Sequence, residues 1–422
     1  MEYQARLVDD KLLELVQLLP AVSIEGAKGV GKTESAKRLA ADIFSLDSVE
    51  TQANLRLAPT LILEGRPPTL IDEWQLVPAV WDVVRRGVDA GASASRFLLT
   101  GSAALPSKAR VHSGAGRIVR VLMRPMSFPE RGLEAPSVSL AELLEGERAA
   151  VGGKTAVTTA IYVDEIIRSG FPGIRNSKPG ARGYLLDSYL DRIVDRDIPE
   201  AGLNVRHPGA VRAWLTAYAA ATSTVASYSA LLDAATPGAS EKPSRVTVAG
   251  YRELLQRIWV LDPLPAWQPS FSHLSRLALG PKHHLVDPGL AARLVGASAM
   301  SLVKGESEPE FPRDGTFLGA LFESLVVQTV RVMAEVIGCR VSHFRSRSGR
   351  EIDVIVERPD SRVLAIEVKL SGQVRPSDVR TLNWLDGEMP GKVVDKVIVN
   401  SGDRAFRRPD GVAVVPLALL GV

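Results

Sequence analysis

One short stretch near the start of the chain has the residue types and spacing to hold a polyphosphate. In Gly26-Ala27-Lys28-Gly29-Val30-Gly31-Lys32-Thr33, the glycines let backbone N–H groups curl around an anion. Lys32 is spaced to reach the β and γ phosphates, and the Thr33 hydroxyl to coordinate Mg²⁺. Downstream, Thr69-Leu70-Ile71-Asp72-Glu73 is an apolar, β-branched run that ends in paired carboxylates. Asp72 suits holding Mg²⁺ through water, and Glu73 suits polarising an attacking water. The implied cofactors are ATP and Mg²⁺.

A second constellation lies near the other end. Glu351-Ile352-Asp353-Val354-Ile355-Val356-Glu357, the turn-rich Arg358-Pro359-Asp360-Ser361-Arg362 and Val363-Leu364-Ala365-Ile366-Glu367-Val368-Lys369 read as a β-hairpin. A turn centred on Asp360 sets Asp353 opposite Glu367. Lys369 shares their face, because side chains alternate along a strand. Two carboxylates and a lysine so placed suit a divalent ion, Mg²⁺ or Mn²⁺, that orients water at a phosphodiester. The arrangement resembles the PD-(D/E)XK fold of restriction-type nucleases. That resemblance implies a further acidic residue on the preceding helix, and Glu323 is in the right place. Domains of this kind either cleave nucleic acid or only bind it. Arg340, Arg345, Arg347 and Arg350 gather nearby with His343, followed by Arg404, Arg407 and Arg408. They read either as a phosphate-holding surface or as a solvated face.

These residues need elements to position them. An amphipathic helix from Ala5 to Leu18 precedes the buried strand Ala21 to Glu25, the glycine-rich loop and a helix through Leu39 and Ala40. Strands at Asp42 to Ser45, Thr69 to Asp72 and Arg96 to Thr100, with helices between them, imply a parallel α/β sheet covered on both faces. From Leu140 the pattern is helical, with Tyr184 to Asp197 as a long periodic segment, and it reads as a helical lid. Helices at Trp214 to Ala221, Ala226 to Ala234 and Val246 to Arg257, then a strand-like Trp259-Val260-Leu261, follow the order of a winged helix. There Arg245, Arg252 and Arg257, with Tyr251 between them, serve phosphate contact or protein packing alike. Glu306 to Gly315 reads as a linker to a helix from Phe317 to Ile337. The expected division is an ATPase core over 1–135, a helical lid over 136–205, a winged-helix-like domain over 206–275 and a nuclease-like α/β domain over 276–422 with its core at 315–400.

The two phosphate-site motifs, Leu99-Thr100-Gly101-Ser102, Gly116-Arg117, Pro125-Met126-Ser127-Phe128 with Glu130, Gly170-Phe171-Pro172 and Asp195-Arg196-Asp197-Ile198 together resemble a prokaryotic family of AAA+ ATPases with a C-terminal domain of unknown function. The family usually has two glycines near Gly170, whereas this chain has Ser169 for the first. The resemblance implies a polar sensor at the end of the strand after the acidic pair, with Ser102 first and Thr100 next. It also implies an arginine, Arg117, presented to the γ phosphate of a neighbouring subunit, and so a homo-oligomer.

A net charge of +3, with 23% charged residues, excludes a polycation of the histone type and confines any nucleic-acid contact to local patches. A single cysteine, Cys339, excludes a disulfide framework and a multi-thiolate zinc site. The start carries no signal-like segment and no apolar run approaches the length of a membrane span, so a cytoplasmic setting away from membranes is expected. Two functions fit. One is an ATPase acting on nucleic acid, DNA above all. The other is a nucleotide-dependent switch that docks protein partners through an inactive nuclease-like domain.

Overall fold

The first sheet is built from five short parallel strands, β1 (Ala21–Glu25), β2 (Asp42–Ser45), β3 (Thr69–Asp72), β4 (Phe97–Gly101) and β5 (Val119–Leu122), in the order β2-β3-β4-β1-β5. This computed structural model describes residues 3–101, 114–146, 149–200, 207–236, 244–268, 280–304, 314–346 and 348–422. β3 and β4 are buried throughout, as strands of a sheet covered on both faces must be. All five strands point the same way, so the loops after their C-terminal ends share one edge, where α/β sheets collect ligands. Gly26 opens the phosphate loop at φ 148°, and a Cβ there would lie 2.0 Å from the Met123 carbonyl oxygen. No other residue fits at that position.

Later strands are β6 (Val138–Ser139), β7 (Gly153–Lys154), β8 (Ala266–Trp267), β9 (Arg340–Arg345), β10 (Glu351–Glu357), β11 (Val363–Lys369), β12 (Val393–Asn400), β13 (Arg404–Arg407), β14 (Ala413–Pro416) and β15 (Leu420–Gly421). They form a mixed sheet in the order β7-β13-β14-β12-β11-β10-β9-β8, and a small parallel pair β15-β6. β7 corrects the expectation of a helical pattern from Leu140 onward, while β6 lies just before that stretch. Two-residue strands carry no periodic signal and are specified by the backbone edges they meet. The helices also shift. The long periodic segment divides into a helix at Pro179–Arg192 and a π-helical turn at Ile193–Asp197, while the helix after the phosphate loop is only Lys32–Lys37.

The 24-residue helix Asp314–Ile337 runs between the two sheets. Its Phe317–Ile337 portion is long and apolar enough to span a membrane, with mean hydropathy 1.4, which corrects the reading that no run approaches that length. Of this stretch 72% is buried, so its apolarity serves a core. A continuous apolar cluster joins Val8, Val22 and Leu98 to Phe322, Val354 and Leu420, and separate clusters cover the far face of each sheet. In the middle region the helices Pro208–Ala220, Tyr228–Ala235 and Arg245–Arg257 are followed by antiparallel bridges Leu261↔Leu285 and Leu264↔Lys282. The expected strand at Trp259-Val260-Leu261 narrows to the bridge at Leu261. Tyr251 is buried and Arg252 lies 4.3 Å over the Tyr228 ring, so this helix packs inward at both residues.

Buried charge fixes how these layers meet. Asp287, fully buried, accepts from Ser169 Oγ at 2.9 Å, from the Gly170 N–H at 2.7 Å and from the Gly289 N–H at 2.9 Å. Ser169 has φ 67°, a conformation that favours glycine. The hydrogen bond to Asp287 offsets that strain and accounts for serine at this position. Asp262 receives Arg124 at 2.7 Å and Arg331 at 3.0 Å. Against the burial that would raise it, the two guanidiniums hold its carboxyl at about 2.

Replacing Asp287 by alanine should lower stability by about 3–5 kcal/mol, because several oriented donors lose their acceptor in the interior. Asp187→Ala breaks an exposed pair with Arg293 and should cost under about 1 kcal/mol. Chemical denaturation of both variants checks the contrast. Equal losses would show that Asp287 does not anchor the Gly170 loop.

Candidate functional site

At the C-terminal edge of the first sheet, β4 lies between β1 and β3, and Thr100 is in register with both Ile24 and Asp72. Its hydroxyl donates to Asp72 Oδ1. The Thr33 hydroxyl donates to the same oxygen at 2.7 Å. The two phosphate-site motifs therefore meet as the spacing predicts, with Thr100 supplying the polar group between them. Ser102, the first choice for that role, lies outside the described residues. A hydroxyl and a carboxylate, both hard oxygen donors, fit Mg²⁺ with its triphosphate.

Lys32 is 5% exposed, and its ammonium donates to the carbonyls of Gly26 at 3.0 Å and Ala27 at 2.8 Å. Burial pushes its pKa down to about 8, against the nearby charges of Glu73 and Asp72. Glu73 stands at φ 56°, a left-handed conformation uncommon for a residue with a side chain and frequent where a group must be aimed. Gln75 Nε2 donates to its carboxylate.

Two chambers flank the loop, and both include Thr33 and Glu73. One, of about 530 Å³, has walls from Tyr3, Gln4 and Arg6 on one side and Pro172, Gly173 and Asn176 on the other. The other, of about 730 Å³, holds Asp72 and faces Arg196 and Asp197 from the π-helical turn. Their sizes suit a nucleotide. Arg6 ties the first wall to the loop, donating to the Val30 carbonyl at 2.7 Å while pairing with Glu130 at 3.0 Å. Lys28, from the loop itself, pairs with Asp197 at 2.6 Å.

Arg117 is elsewhere. It precedes β5, whose Val119 is in register with Val22 near the start of β1, so it lies at the sheet end away from the phosphate loop. There it pairs with Asp89 at 2.7 Å. Arg196 is the arginine of the second chamber. Sequence reasoning gave it no role, although a charged Asp-Arg-Asp run interrupting a helical pattern was a usable signal.

In the second sheet, β10 and β11 pair from Val354↔Ile366 to Glu357↔Val363. Continuing that register sets Asp353 opposite Glu367, as the turn at Asp360 requires. Glu323 also arrives from the long helix. The expected divalent ion finds no support here, because the carboxylates meet a cation that the sequence reading did not weigh. Lys282, 1% exposed, places its ammonium 2.9 Å from Glu323, 2.8 Å from Glu351 and 2.8 Å from Asp353. Glu367 pairs with Lys369 at 2.7 Å. Among the described residues no group of three or more acidic, histidine or cysteine side chains is arranged to hold a metal. Burial, and then the Asp353 charge, push the carboxyls of Glu323 and Glu367 well above the ordinary range. Burial works against the charge on Lys282, but the three carboxylates raise it above its usual value.

The arginines grouped by sequence do not form one free surface. Arg407 pairs with Asp395 and Arg408 with Asp410. Arg350 lies 4.2 Å over the Trp384 ring, and His343 is buried. Arg347, and the side chain of Arg245, lie outside the described residues.

Family matches fall on three segments. Residues 19–131 match the AAA domain family, 159–301 a domain of unknown function (DUF8612) and 318–420 another domain of unknown function (DUF4143). The uncharacterized protein Rv2008c of Mycobacterium tuberculosis is 24% identical over 416 residues, spanning 96% of this chain and 82% of its own. The uncharacterized protein Mb2031c of Mycobacterium bovis gives the same values. The Walker-type ATPase PABY2304 of Pyrococcus abyssi aligns with 68% of this chain and 94% of its own at 16% identity and a TM-score of 0.34. The AAA match covers the strands, the phosphate loop and the Asp72-Glu73 pair described above, and the N-terminal part of this chain is a P-loop domain of the AAA ATPase type.

Proposed function

We propose that the chain is a Mg²⁺-dependent ATP hydrolase that works as a nucleotide-dependent switch, presenting its C-terminal α/β domain to a protein partner. The observation that carries the hydrolase reading is the convergence of Thr33 and Asp72 at 2.7 Å beneath the phosphate loop, with Glu73 in the same chamber. Bound Mg²⁺ would offset charge on the β and γ phosphates. Lys32 would exchange its loop carbonyls for phosphate oxygens, and Glu73 would orient water at the γ phosphate.

The switch reading is favoured by two observations over action on nucleic acid. Lys282 fills the carboxylate centre that cleavage would require, and Arg407 and Arg408 are committed to neighbouring carboxylates. In the proposed oligomer Arg117, at the far sheet end, serves a neighbouring subunit.

Lys32→Ala should abolish nucleotide binding, whereas Glu73→Gln should bind normally and lose about 100-fold or more in turnover. Undiminished turnover in either variant would refute its assigned role. Hydrolysis measured with and without single-stranded, duplex and branched DNA should change by less than about twofold on this reading. Strong stimulation would make DNA the partner.

Arg117→Ala mixed with Lys32→Ala should recover some hydrolysis, since one supplies the pocket and the other the arginine. Arg196→Ala, reaching its own chamber, should not be rescued in the same mixture. The opposite pattern would exchange the two roles.

Nucleotide affinity should also depend on pH through Lys32. Its ammonium is charged below about 8 and neutral above, so affinity for Mg²⁺-free ATP should weaken as pH rises from 7 to 9. Titrations across that range test the sign, and a flat profile would remove Lys32 as the titrating contact.

A further inference from the structure

The carboxylates of Glu323, Glu351 and Asp353 come from two elements: the long helix, and the first and third residues of β10. They converge on one point, and that point is the Nζ of Lys282, at 2.8 to 2.9 Å from each. Those are charge-assisted N–H···O distances. A three-carboxylate shell around one cation is also how a hard divalent ion is held, at about 2.0–2.6 Å. Exposure shows the direction of entry. Lys282 is 1% exposed, while the side chains of Glu351 and Lys369 are 36% and 33% exposed. The ammonium therefore reaches the cluster from the interior, and of the three carboxylates Glu351 alone opens outward, the side chains of Glu323 and Asp353 being 15% and 13% exposed.

Other contacts hold this arrangement in place. Lys282 exchanges backbone hydrogen bonds with Leu264 at 3.0 and 2.9 Å. Asp353 uses its second oxygen to accept the Val368 N–H at 2.9 Å, which fixes the carboxylate without a metal. Asp287, a few residues on from Lys282, is itself locked onto Ser169 and Gly170. The lysine is thus delivered by a segment anchored at both ends.

The geometry points to a carboxylate centre closed by its own lysine: Glu323, Glu351 and Asp353 stand at ammonium distance around Lys282 Nζ, are not arranged to hold a metal while it is there, and are free to close on a divalent ion only when that ammonium is removed. The centre in this form carries out no metal-assisted phosphodiester cleavage. It joins the middle region to the C-terminal sheet. This inference deepens the docking reading of that domain and stands independently of whether the phosphate loop hydrolyses ATP.

The test uses the full chain without nucleotide and Mn²⁺ as the probe, with binding followed by the electron paramagnetic resonance signal of free Mn²⁺. The unaltered chain should show no Mn²⁺ binding that Asp353→Asn removes. Lys282→Gln should gain one Mn²⁺ per chain, at least tenfold tighter than in Lys282→Gln/Asp353→Asn. Comparing these two separates the C-terminal site from any ion held by Thr33 and Asp72. If Lys282→Gln does not fold, Lys282→Gln/Glu351→Gln removes one uncompensated charge and should still gain the ion. Asp353-dependent Mn²⁺ binding in the unaltered chain overturns the inference, as does Mn²⁺-dependent DNA cleavage that Asp353→Asn abolishes. Failure of both lysine variants to gain the ion overturns it equally.

Discussion

A charge taken into a protein interior must be met there by an opposite charge or by aligned donors, since the lost hydration is worth several kcal/mol per ion. This chain meets that requirement repeatedly between segments far apart in sequence. Arg6 answers Glu130, Arg124 and Arg331 answer Asp262, Arg131 and Arg175 answer Glu165, and Lys282 answers three carboxylates at once. Apolar packing tolerates sliding by a fraction of a side chain, whereas these pairs do not. The nucleotide chambers inherit their shape from them. Arg6 holds the Val30 carbonyl while its partner Glu130 takes the Leu7 N–H, and Asp287 holds Gly170, just before the wall formed by Pro172 and Gly173.

Much of the phosphate site was legible in the residues alone, for a local reason. Gly26 through Thr33 is one contiguous turn and helix start, and its chemistry needs no distant contact to be recognised. Asp72 and Glu73 end a buried strand, and parallel strands deliver their ends to one edge. The hairpin register was legible too, because an antiparallel pair joined by a short turn is determined by where the turn lies. Asp353 faces Glu367 for that reason alone.

What escaped reading depended on tertiary approach. Lys282 sits in Pro281-Lys282-His283-His284-Leu285, where its only sequence signal is a cation beside apolar residues in a stretch with no helical period. That hints at a buried partner without naming it. Arg196 belonged to a charged run whose helix gains a π turn, and only the fold shows that turn facing Asp72. β6 and β7 are too short to carry a pattern. In the opposite direction, the arginines after β12 looked like one surface in a linear reading, but the fold gives Arg407 and Arg408 their own carboxylates.

The five-residue interval between Lys282 and Asp287 has a bearing on how such chains can be recombined. Family boundaries place both residues with the middle segment, at 159–301, and all three carboxylates that Lys282 meets with the segment at 318–420. A graft that moved only the C-terminal segment of this chain into another protein would carry the acidic side chains away from the cation that neutralises them. The unit that can be inherited or transplanted intact therefore begins upstream of Lys282, and the joint between the two matched segments is a poor place for a crossover.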